Sequence, residues 1–325
     1  MNEIYTQLKQ YGKVKLNESL KKHVTMKVGG TAKYFLIVDD IDKLADTLKY
    51  LDGEGIAHVI LGGGSNTLFS DTEFDGVVVK VESKKLKVES NVIIADAGCI
   101  TATIARESMA AGLTGFEWGV GVPGTIGGAV RGNAGAMGSE MKDNVLKVEA
   151  YIDGEVVEFS NEEIQFGYRD SIFKHDGGVV LRVYLKLDRL REATAHQGKE
   201  LMKKALEHLK YRNETQPQGF ASSGCMFKNP DWETHKKKIA FYFNTHEEPV
   251  TQFACVGKIS AGWLIQNTGL RGFKIGGAQV SEKHCNFVVN TGDATVEDIQ
   301  ALIAHVKQKV WERYDIMLEE EVSIL

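Results

Sequence analysis

The stretch that decides the fold covers residues 118–138 and reads WGVGVPGTIGGAVRGNAGAMG. Nine glycines fall within residues 115–138, so this segment is too rich in glycine for a regular helix or strand. It is also too apolar for a solvent-exposed linker. Such a backbone can lie flat against an extended ligand, with its amide N–H groups donating to phosphate oxygens. The alternative is a tightly packed structural turn.

A second glycine-rich loop, GGGSNT at residues 62–67, follows a short apolar strand predicted at residues 58–61. Backbone N–H groups at such a loop can converge on an anion, and Ser65 and Thr67 add hydroxyl donors. The loop matches neither G-x-x-x-x-G-K-[ST] nor G-x-G-x-x-G, which excludes the P-loop and the Rossmann fingerprint. Alone it is equally consistent with a flexible surface turn. Two such loops indicate an extended dinucleotide rather than a single phosphate.

The bulk composition indicates an ordinary globular protein of two or three domains. The chain has 325 residues, of which 43% are hydrophobic and 26% charged, and a net charge of −5. Without a basic stripe, nucleic acid is not expected as a partner. No window approaches the roughly 20 apolar residues of a membrane span, and residues 1–17 lack a signal-peptide core. The four scattered cysteines fit a reducing cytoplasm and predict no metal site.

The order of short strands and helices predicts an α+β chain rather than a regular doubly wound sheet. Helices are predicted after the first strand and at residues 101–111, 198–212 and 296–314. Strands are predicted at residues 33–38, 58–61, 76–81, 145–152, 155–159, 179–187, 286–290 and 316–325, with a further hairpin through residues 88–94. The polar run at residues 213–219 is the best candidate for a domain junction.

Three further segments contain side chains suited to chemistry, although none is decisive alone. YRDSIFK at residues 168–174 places Arg169 between aromatic and apolar residues, and SSGCMFKNP at residues 222–230 contains the thiol of Cys225. Glu321 ends an acidic run within an apolar terminal segment. The ordinary explanations are a salt-bridged surface arginine, an inert buried thiol and a solvated acidic tail.

Taken together, these segments resemble the UDP-N-acetylenolpyruvoylglucosamine reductase (MurB) family over residues from about 25 to 322. TMKVGG at residues 25–30, SAGWLI at 260–265 and GLRGFKIGGAQVSEKH at 269–284 add to the resemblance. It implies an α+β, three-domain FAD-binding fold of the vanillyl-alcohol-oxidase (PCMH) type with a C-terminal substrate-binding domain. The implied parts are residues 1–73 joined by a terminal strand at 316–325, residues 74–200, and residues 205–315.

The resemblance also implies an activity. It predicts an FAD-dependent oxidoreductase that uses NADPH to reduce UDP-N-acetylglucosamine enolpyruvate to UDP-N-acetylmuramate, a step in the synthesis of the peptidoglycan precursor of the cell wall. We expect a cytoplasmic monomer with this small-molecule substrate and no nucleic-acid or membrane partner.

The family's catalytic positions fall on Arg169, Cys225 and Glu321. An arginine fork suits the enolate charge that develops on the substrate carboxyl group, and Glu321 would hold or polarise that group. Cys225 would donate the proton, since a free thiol, with a pKa of roughly 8.5, is largely protonated at neutral pH.

The binding residues expected from the loops and from the resemblance form two sets. Those expected to bind FAD are Gly62, Gly63, Gly64, Ser65, Asn66, Thr67, Gly121, Pro123, Gly124, Thr125, Gly127, Gly128, Asn133, Ala134 and Gly135. Those expected to bind the substrate are Tyr168, Arg169, Lys228, Asn229, Arg271 and His284.

The chain departs from the family pattern at two places. Thr215 stands where the family has a basic residue before the Gln-Pro pair, and Arg212 is a candidate replacement. Residues 231–257 are long, as in the branch with a substrate-covering tyrosine loop, but too few residues separate Arg169 from Cys225 to contain that loop. The subclass therefore stays open. The alternatives are a flavin oxidase of the same fold that uses oxygen, and a non-enzymatic FAD- or nucleotide-binding protein.

Overall fold

The computed structural model describes residues 3–190, 195–243 and 248–325. The chain forms two compact units. Unit 1 contains Met1–Glu18, Thr31–Gly64 and Glu73–Glu214, and unit 2 contains Ser19–Gly30, Ser65–Thr72 and Thr215–Leu325. The finer division into two FAD-binding parts and a substrate-binding part stays a prediction.

The secondary structure alternates short strands with helices throughout the described chain. The helices are α1 (Glu3–Leu8), α2 (Ile41–Gly53), α3 (Thr101–Ala110), α4 (Ile126–Arg131), α5 (Ala195–Thr215), α6 (Trp232–Tyr242), α7 (Glu248–Val256), α8 (Ala261–Asn267) and α9 (Val296–Tyr314). The strands are β1 (Lys13–Ser19), β2 (Thr31–Val38), β3 (His58–Leu61), β4 (Thr67–Leu68), β5 (Phe74–Val81), β6 (Leu86–Glu89), β7 (Val92–Asp96), β8 (Leu113–Thr114), β9 (Gly135–Ala136), β10 (Ser139–Glu140), β11 (Val145–Ile152), β12 (Glu155–Ser160), β13 (Val179–Lys186), β14 (Asp188–Arg189), β15 (Ala221–Cys225), β16 (Lys274–Ile275), β17 (Ala278–Val280), β18 (Phe287–Asn290) and β19 (Ser323–Ile324). The predicted α+β class is confirmed.

The first sheet of unit 1 has the strand order β1-β2-β5-β3, and β5 pairs in parallel with both β2 and β3. Helix α2 connects β2 to β3. It begins at Asp40, whose carboxylate accepts the N–H groups of Asp42 and Lys43, and it buries Leu44 and Leu48. Because β3 and β5 run in the same direction, the loops that follow both strands leave the same edge of the sheet.

The second sheet of unit 1 is antiparallel, with the order β12-β11-β13-β7-β6. The turn between β11 and β12 places Asp153 and Gly154 at φ 50° and 87°, the left-handed backbone that a tight hairpin requires. The predicted hairpin at this Asp-Gly pair is therefore confirmed. One hydrophobic core includes buried residues from both sheets, for example Val79 of β5 and Val183 of β13.

Unit 2 packs α9 and α8 against an antiparallel sheet of order β15-β18-β17-β16. Helix α9 begins with a capping box, in which Thr295 and Asp298 each accept the other's backbone N–H. Its residues Ile299, Leu302 and Val306 are buried at helical spacing. This helix matches the prediction residue for residue.

The predicted closing strand at residues 316–325 is wrong in extent. Only Ser323–Ile324 forms a strand, which pairs in parallel with β4, and an isolated bridge joins Glu320 to Phe227. Ile316, Leu318 and Val322 are buried. Burial of apolar side chains does not by itself make a strand, because a strand also needs a neighbouring backbone along its length. Among the described helices, none is long and apolar enough to cross a membrane.

Candidate functional site

The two glycine-rich loops contact each other backbone to backbone within unit 1. A Cβ atom added at Gly63 would lie 2.6 Å from the Cα of Gly124, and one added at Gly62 would collide with the hydroxyl of Thr125. The glycines are therefore required for the loops to meet. The result is a surface of bare backbone, the type of surface that can approach a pyrophosphate group closely. This arrangement fits the predicted FAD site.

The prediction that the second segment contains no helix or strand is wrong, since Ile126–Arg131 form α4 and Gly135–Ala136 form β9. The start of α4 is held by residues that directly follow β7 of the antiparallel sheet. The N–H of Ile126 donates to Cys99 over 2.8 Å, and that of Gly127 donates to Ala97 over 3.0 Å. A Cβ at Gly127 would lie 2.8 Å from the Cβ of Ala97. Gly127 was predicted to bind FAD, but its N–H is bonded to Ala97, and glycine is needed here because a larger residue would collide with Ala97.

A lysine that the sequence reasoning missed lies beside the first loop. Lys80 is at the carboxyl end of β5, paired with Leu61 at the end of β3, and its ammonium donates to the carbonyl of Gly62. Burial lowers the pKa of Lys80. In the described part of the chain it forms no ion pair with a carboxylate. The sequence signal was a lysine that interrupts the apolar run VVVKV.

Arginine also lies against the second loop. A Cβ at Gly121 would lie 2.5 Å from the Cδ of Arg212, which belongs to α5. Gly121 thus leaves room for this long side chain. The basic residue proposed as a replacement for the one missing at Thr215 is therefore next to a predicted FAD-binding loop.

Arg169 lies at the tip of a tight turn in unit 1. The backbone groups of Gly167 and Asp170 exchange hydrogen bonds of 3.0 and 3.3 Å, which closes the turn, and Arg169 adopts φ 55°. Its guanidinium lies 5.3 Å from the ring centre of Tyr168 and donates to the carbonyl of Gly135 over 3.3 Å. The turn therefore brings Arg169 to the segment that contains the predicted FAD-binding residue Gly135.

Asn133 connects that turn to the second glycine-rich segment. Its amide nitrogen donates to the carbonyl of Gly167 over 2.7 Å, and its amide oxygen accepts the N–H of Lys142 over 3.0 Å. The side chain is fully buried, with the backbone at φ 40°. Asn133 was predicted to bind FAD, yet both polar groups of its side chain have partners inside the protein. Ala134 similarly donates its N–H to Ala129.

The backbone segments that contain Cys225 and Glu321 lie side by side in unit 2. Cys225 ends β15, and the next residue, Met226, accepts the N–H of Glu321 over 2.8 Å. The carbonyl of Glu321 accepts the side-chain amide of Asn66 over 3.0 Å. Asn66 was predicted to bind FAD, so one residue of the GGGSNT loop also holds the peptide of Glu321. The structure brings these two predicted catalytic residues together, whereas Arg169 belongs to unit 1.

The predicted substrate residues of unit 2 all have contacts within that unit. Lys228 pairs with Glu319 at 3.3 Å, and the side-chain oxygen of Asn229 accepts the N–H of Ala261 at the start of α8. Arg271 donates to the side chain of Gln266 and to the carbonyl of Glu282.

His284, another predicted substrate residue, is half-buried within unit 2. Its Nδ1 accepts the N–H of Asn286 over 3.3 Å, and its ring centre lies 5.0 Å from that of Phe287. Burial lowers its pKa, so the neutral ring is favoured.

The chain matches two known domain families and a solved structure. Residues 216–325 match the model of the UDP-N-acetylenolpyruvoylglucosamine reductase C-terminal domain, and residues 32–160 match that of an FAD binding domain. Among solved structures, the chain resembles the UDP-N-acetylenolpyruvylglucosamine reductase (MurB) of Thermus caldophilus. The TM-score is 0.74 and the identity 30%, with coverage of 96% of this chain and 98% of that chain.

Curated relatives match along almost the entire chain. The UDP-N-acetylenolpyruvoylglucosamine reductase of Caldanaerobacter subterraneus is 39% identical over 97% of this chain and 94% of the relative. The UDP-N-acetylenolpyruvoylglucosamine reductase of Clostridioides difficile is 38% identical over 96% of this chain and 93% of the relative. These matches extend across both units. The chain therefore belongs to the UDP-N-acetylenolpyruvoylglucosamine reductase (MurB) family, whose members carry an FAD-binding domain.

Proposed function

We propose that this protein reduces UDP-N-acetylglucosamine enolpyruvate to UDP-N-acetylmuramate, with NADPH as the source of electrons. The observation that carries the proposal is the hydrogen bond between Glu321 and Met226, which places the acidic terminal segment beside the segment of Cys225. Neither glycine-rich loop distinguishes a reductase from another flavoprotein. Cys225 would supply the proton that the reduction of a carbon–carbon double bond requires, and Glu321 lies in the segment beside it.

The two glycine-rich loops and Lys80 would hold the cofactor. Bound FAD supplies two-electron chemistry, by which hydride from NADPH reaches the methylene carbon of the enolpyruvyl ether. The closely packed, side-chain-free backbone at Gly63 and Gly124 suits its pyrophosphate, and the half-buried ammonium of Lys80 offers the opposite charge.

Lys80 can be tested by titrating FAD into the apoprotein. We expect Lys80→Met to weaken FAD binding by at least about tenfold, equivalent to about 1.4 kcal/mol. Lys80→Arg keeps the charge and should bind FAD within a few-fold of the parent protein. Equal affinities of the methionine and arginine variants would show that the charge has no part in binding.

Arg169 would stabilise the charge that hydride addition creates. When hydride reaches the methylene carbon, electron density moves to the ether-bearing carbon and the adjacent carboxylate. A guanidinium can form two parallel hydrogen bonds with such a carboxylate and stays protonated throughout. The closed turn at Gly167 and Asp170 holds Arg169 before substrate binds, so little reorganisation is needed.

Cys225 would complete the reaction by donating its thiol proton to the ether-bearing carbon. That step converts the double bond into a single bond, with one hydride and one proton added. Glu321 would hold or polarise the substrate carboxyl group. The scattered cysteines support action in the cytoplasm, where thiols remain reduced, and we infer a monomer.

An anaerobic spectroscopic experiment tests the function and separates it from the alternatives. The purified protein should be yellow, and NADPH should bleach the flavin spectrum. UDP-N-acetylglucosamine enolpyruvate should then restore the colour without oxygen. Recovery only after oxygen is admitted would indicate an oxidase, and a flavin that NADPH does not bleach would indicate a binding protein.

A further inference from the structure

The pairing of β15 with β18 is interrupted beside Cys225. Ser222 faces Val289, but Cys225 faces Phe287, so three steps along one strand correspond to two along the other. The extra residue is a bulge, which leaves local backbone groups without their regular ladder partners. Met226 and Phe227 follow directly after this bulge and are buried, so their backbone groups require hydrogen-bond partners inside the protein.

The side chain of Asn286 supplies these partners for Phe227. Its amide oxygen accepts the N–H of Phe227 over 3.0 Å, and its amide nitrogen donates to the carbonyl of Phe227 over 2.9 Å. Its own carbonyl accepts the N–H of Met226 over 2.7 Å. Only 3% of Asn286 is exposed, so water does not compete for these groups. The side-chain amide thus bonds both backbone groups of Phe227, as a neighbouring peptide would, just beyond the end of β15.

The opposite side of the same segment holds Glu321. The carbonyl of Met226 accepts the N–H of Glu321 over 2.8 Å, and Phe227 forms an isolated bridge with Glu320. Residues 226–227 therefore lie between Asn286 on one side and residues 320–321 on the other. Any rotation of these two peptides moves the backbone of Cys225 and that of Glu321 together.

We propose that Asn286 is a positioning residue for proton delivery in the reductase reaction. The inference rests on the proposed function, because it takes Cys225 as the proton donor. Asn286 has no role at the reacting atoms; it fixes the peptide that connects the donor to Glu321. A shift of about 1 Å in such an arrangement can slow a reaction by about 100-fold.

The test compares the two halves of the reaction in Asn286→Ala. We expect reduction of the flavin by NADPH to stay within about twofold of the parent protein, whereas anaerobic reoxidation by UDP-N-acetylglucosamine enolpyruvate slows by at least about tenfold. Amide hydrogen exchange at Phe227 and Glu321 should also accelerate. That second measurement needs no substrate and no turnover.

Strand β18, which begins directly after Asn286, offers a matched control. Asn290 is also buried, and its side chain also bonds only backbone, donating to Met26 over 3.1 Å and accepting from Gly292 over 2.8 Å. Those contacts lie away from residues 226–227. Asn290→Ala should lower the thermal midpoint as Asn286→Ala does, yet leave the reoxidation rate within about twofold of the parent.

If the alanine variant does not fold, Asn286→Asp takes its place in the same comparison of the two half-reactions. It keeps the acceptor for the N–H of Phe227 and loses the donor, so its reoxidation rate should fall between those of the parent and Asn286→Ala. The inference is overturned if folded Asn286 variants reoxidise as fast as Asn290→Ala. If the parent protein itself fails to reoxidise with this substrate, the proposed function fails instead, and hydrogen exchange still shows whether Asn286 holds the two segments.

Discussion

At the scale of single residues, Arg169 shows how local strain accompanies the candidate site. Its φ of 55° is unusual for a residue with a side chain and costs about 1–2 kcal/mol relative to the right-handed regions. The turn closed by Gly167 and Asp170 keeps it there. Strain of this kind is a sign of function when a reactive side chain is involved.

We expect Arg169→Gly to separate stability from activity. Glycine relieves the backbone strain, which offsets the lost side-chain contacts, so the free energy of unfolding should change by less than about 1 kcal/mol. Turnover should fall by at least about 100-fold, since the stabilising charge is lost. Chemical denaturation and steady-state kinetics measure the two effects.

The exposed turn between β11 and β12 provides the control for that substitution. Asp153 has nearly the same backbone angle, φ 50°. Asp153→Gly should therefore have a similar small effect on stability and leave turnover unchanged. Full turnover in Arg169→Gly would remove the arginine from the mechanism.

Cys225 gives a second prediction at this scale. Cys225→Ala should keep FAD bound and be reduced normally by NADPH, but reoxidise with substrate at least about 100-fold more slowly, because the general acid is absent. Stopped-flow absorbance of the flavin follows both halves. Cys255, an exposed free cysteine in α7, is the matched position, and Cys255→Ala should behave as the parent. Normal reoxidation of Cys225→Ala would mean that another group donates the proton.

At the scale of elements, the decisive feature is the contact of two loops that follow different strands and helices. The first loop leaves β3 at the edge shared with β5, and the second includes the start of α4, which packs over the antiparallel sheet. The predicted FAD site depends on both loops, because their glycines let the two backbones approach closely. Glycine at the contact is thus a spatial requirement.

We expect Gly63→Ala to separate the loops and weaken FAD binding by at least about tenfold, since the added methyl group would lie 2.6 Å from Gly124. Gly63 has no positive φ, so the effect arises from space rather than from strain. Gly53, at the end of α2, has nothing within 4 Å of an added Cβ and is the control. Fluorescence titration of apoprotein with FAD measures both, and equal affinities would contradict the loop contact.

At the scale of the whole molecule, stability should depend on FAD. The cofactor binds the folded protein and not the unfolded chain, so it stabilises the fold by about 2.7 kcal/mol at a free concentration 100 times the dissociation constant. The thermal midpoint of the apoprotein should therefore rise steadily with added FAD. Calorimetry at several FAD concentrations measures this, and riboflavin, which lacks the pyrophosphate, should raise the midpoint less.

Several elements followed directly from the sequence. The strands His58–Leu61 and Val145–Ile152 and the helix Val296–Tyr314 were predicted with their observed bounds. In each, hydrophobic spacing and flanking turn or capping residues agree, and both signals are local. The terminal segment was wrong in extent because its strand pairing depends on β4, which lies far away in the sequence.

The sequence by itself determined the family and the α+β class, and it predicted the residues for FAD, proton and carboxylate chemistry. Only the tertiary structure revealed that Asn286 holds Phe227, 59 positions away, and that Asn66 holds Glu321, 255 positions away. It also revealed that the ammonium of Lys80 donates to the carbonyl of Gly62. Hydrophobic periodicity records which face of an element is buried, but it does not record which distant backbone group a polar side chain will meet. Those pairings arise only when the strands and loops are packed together.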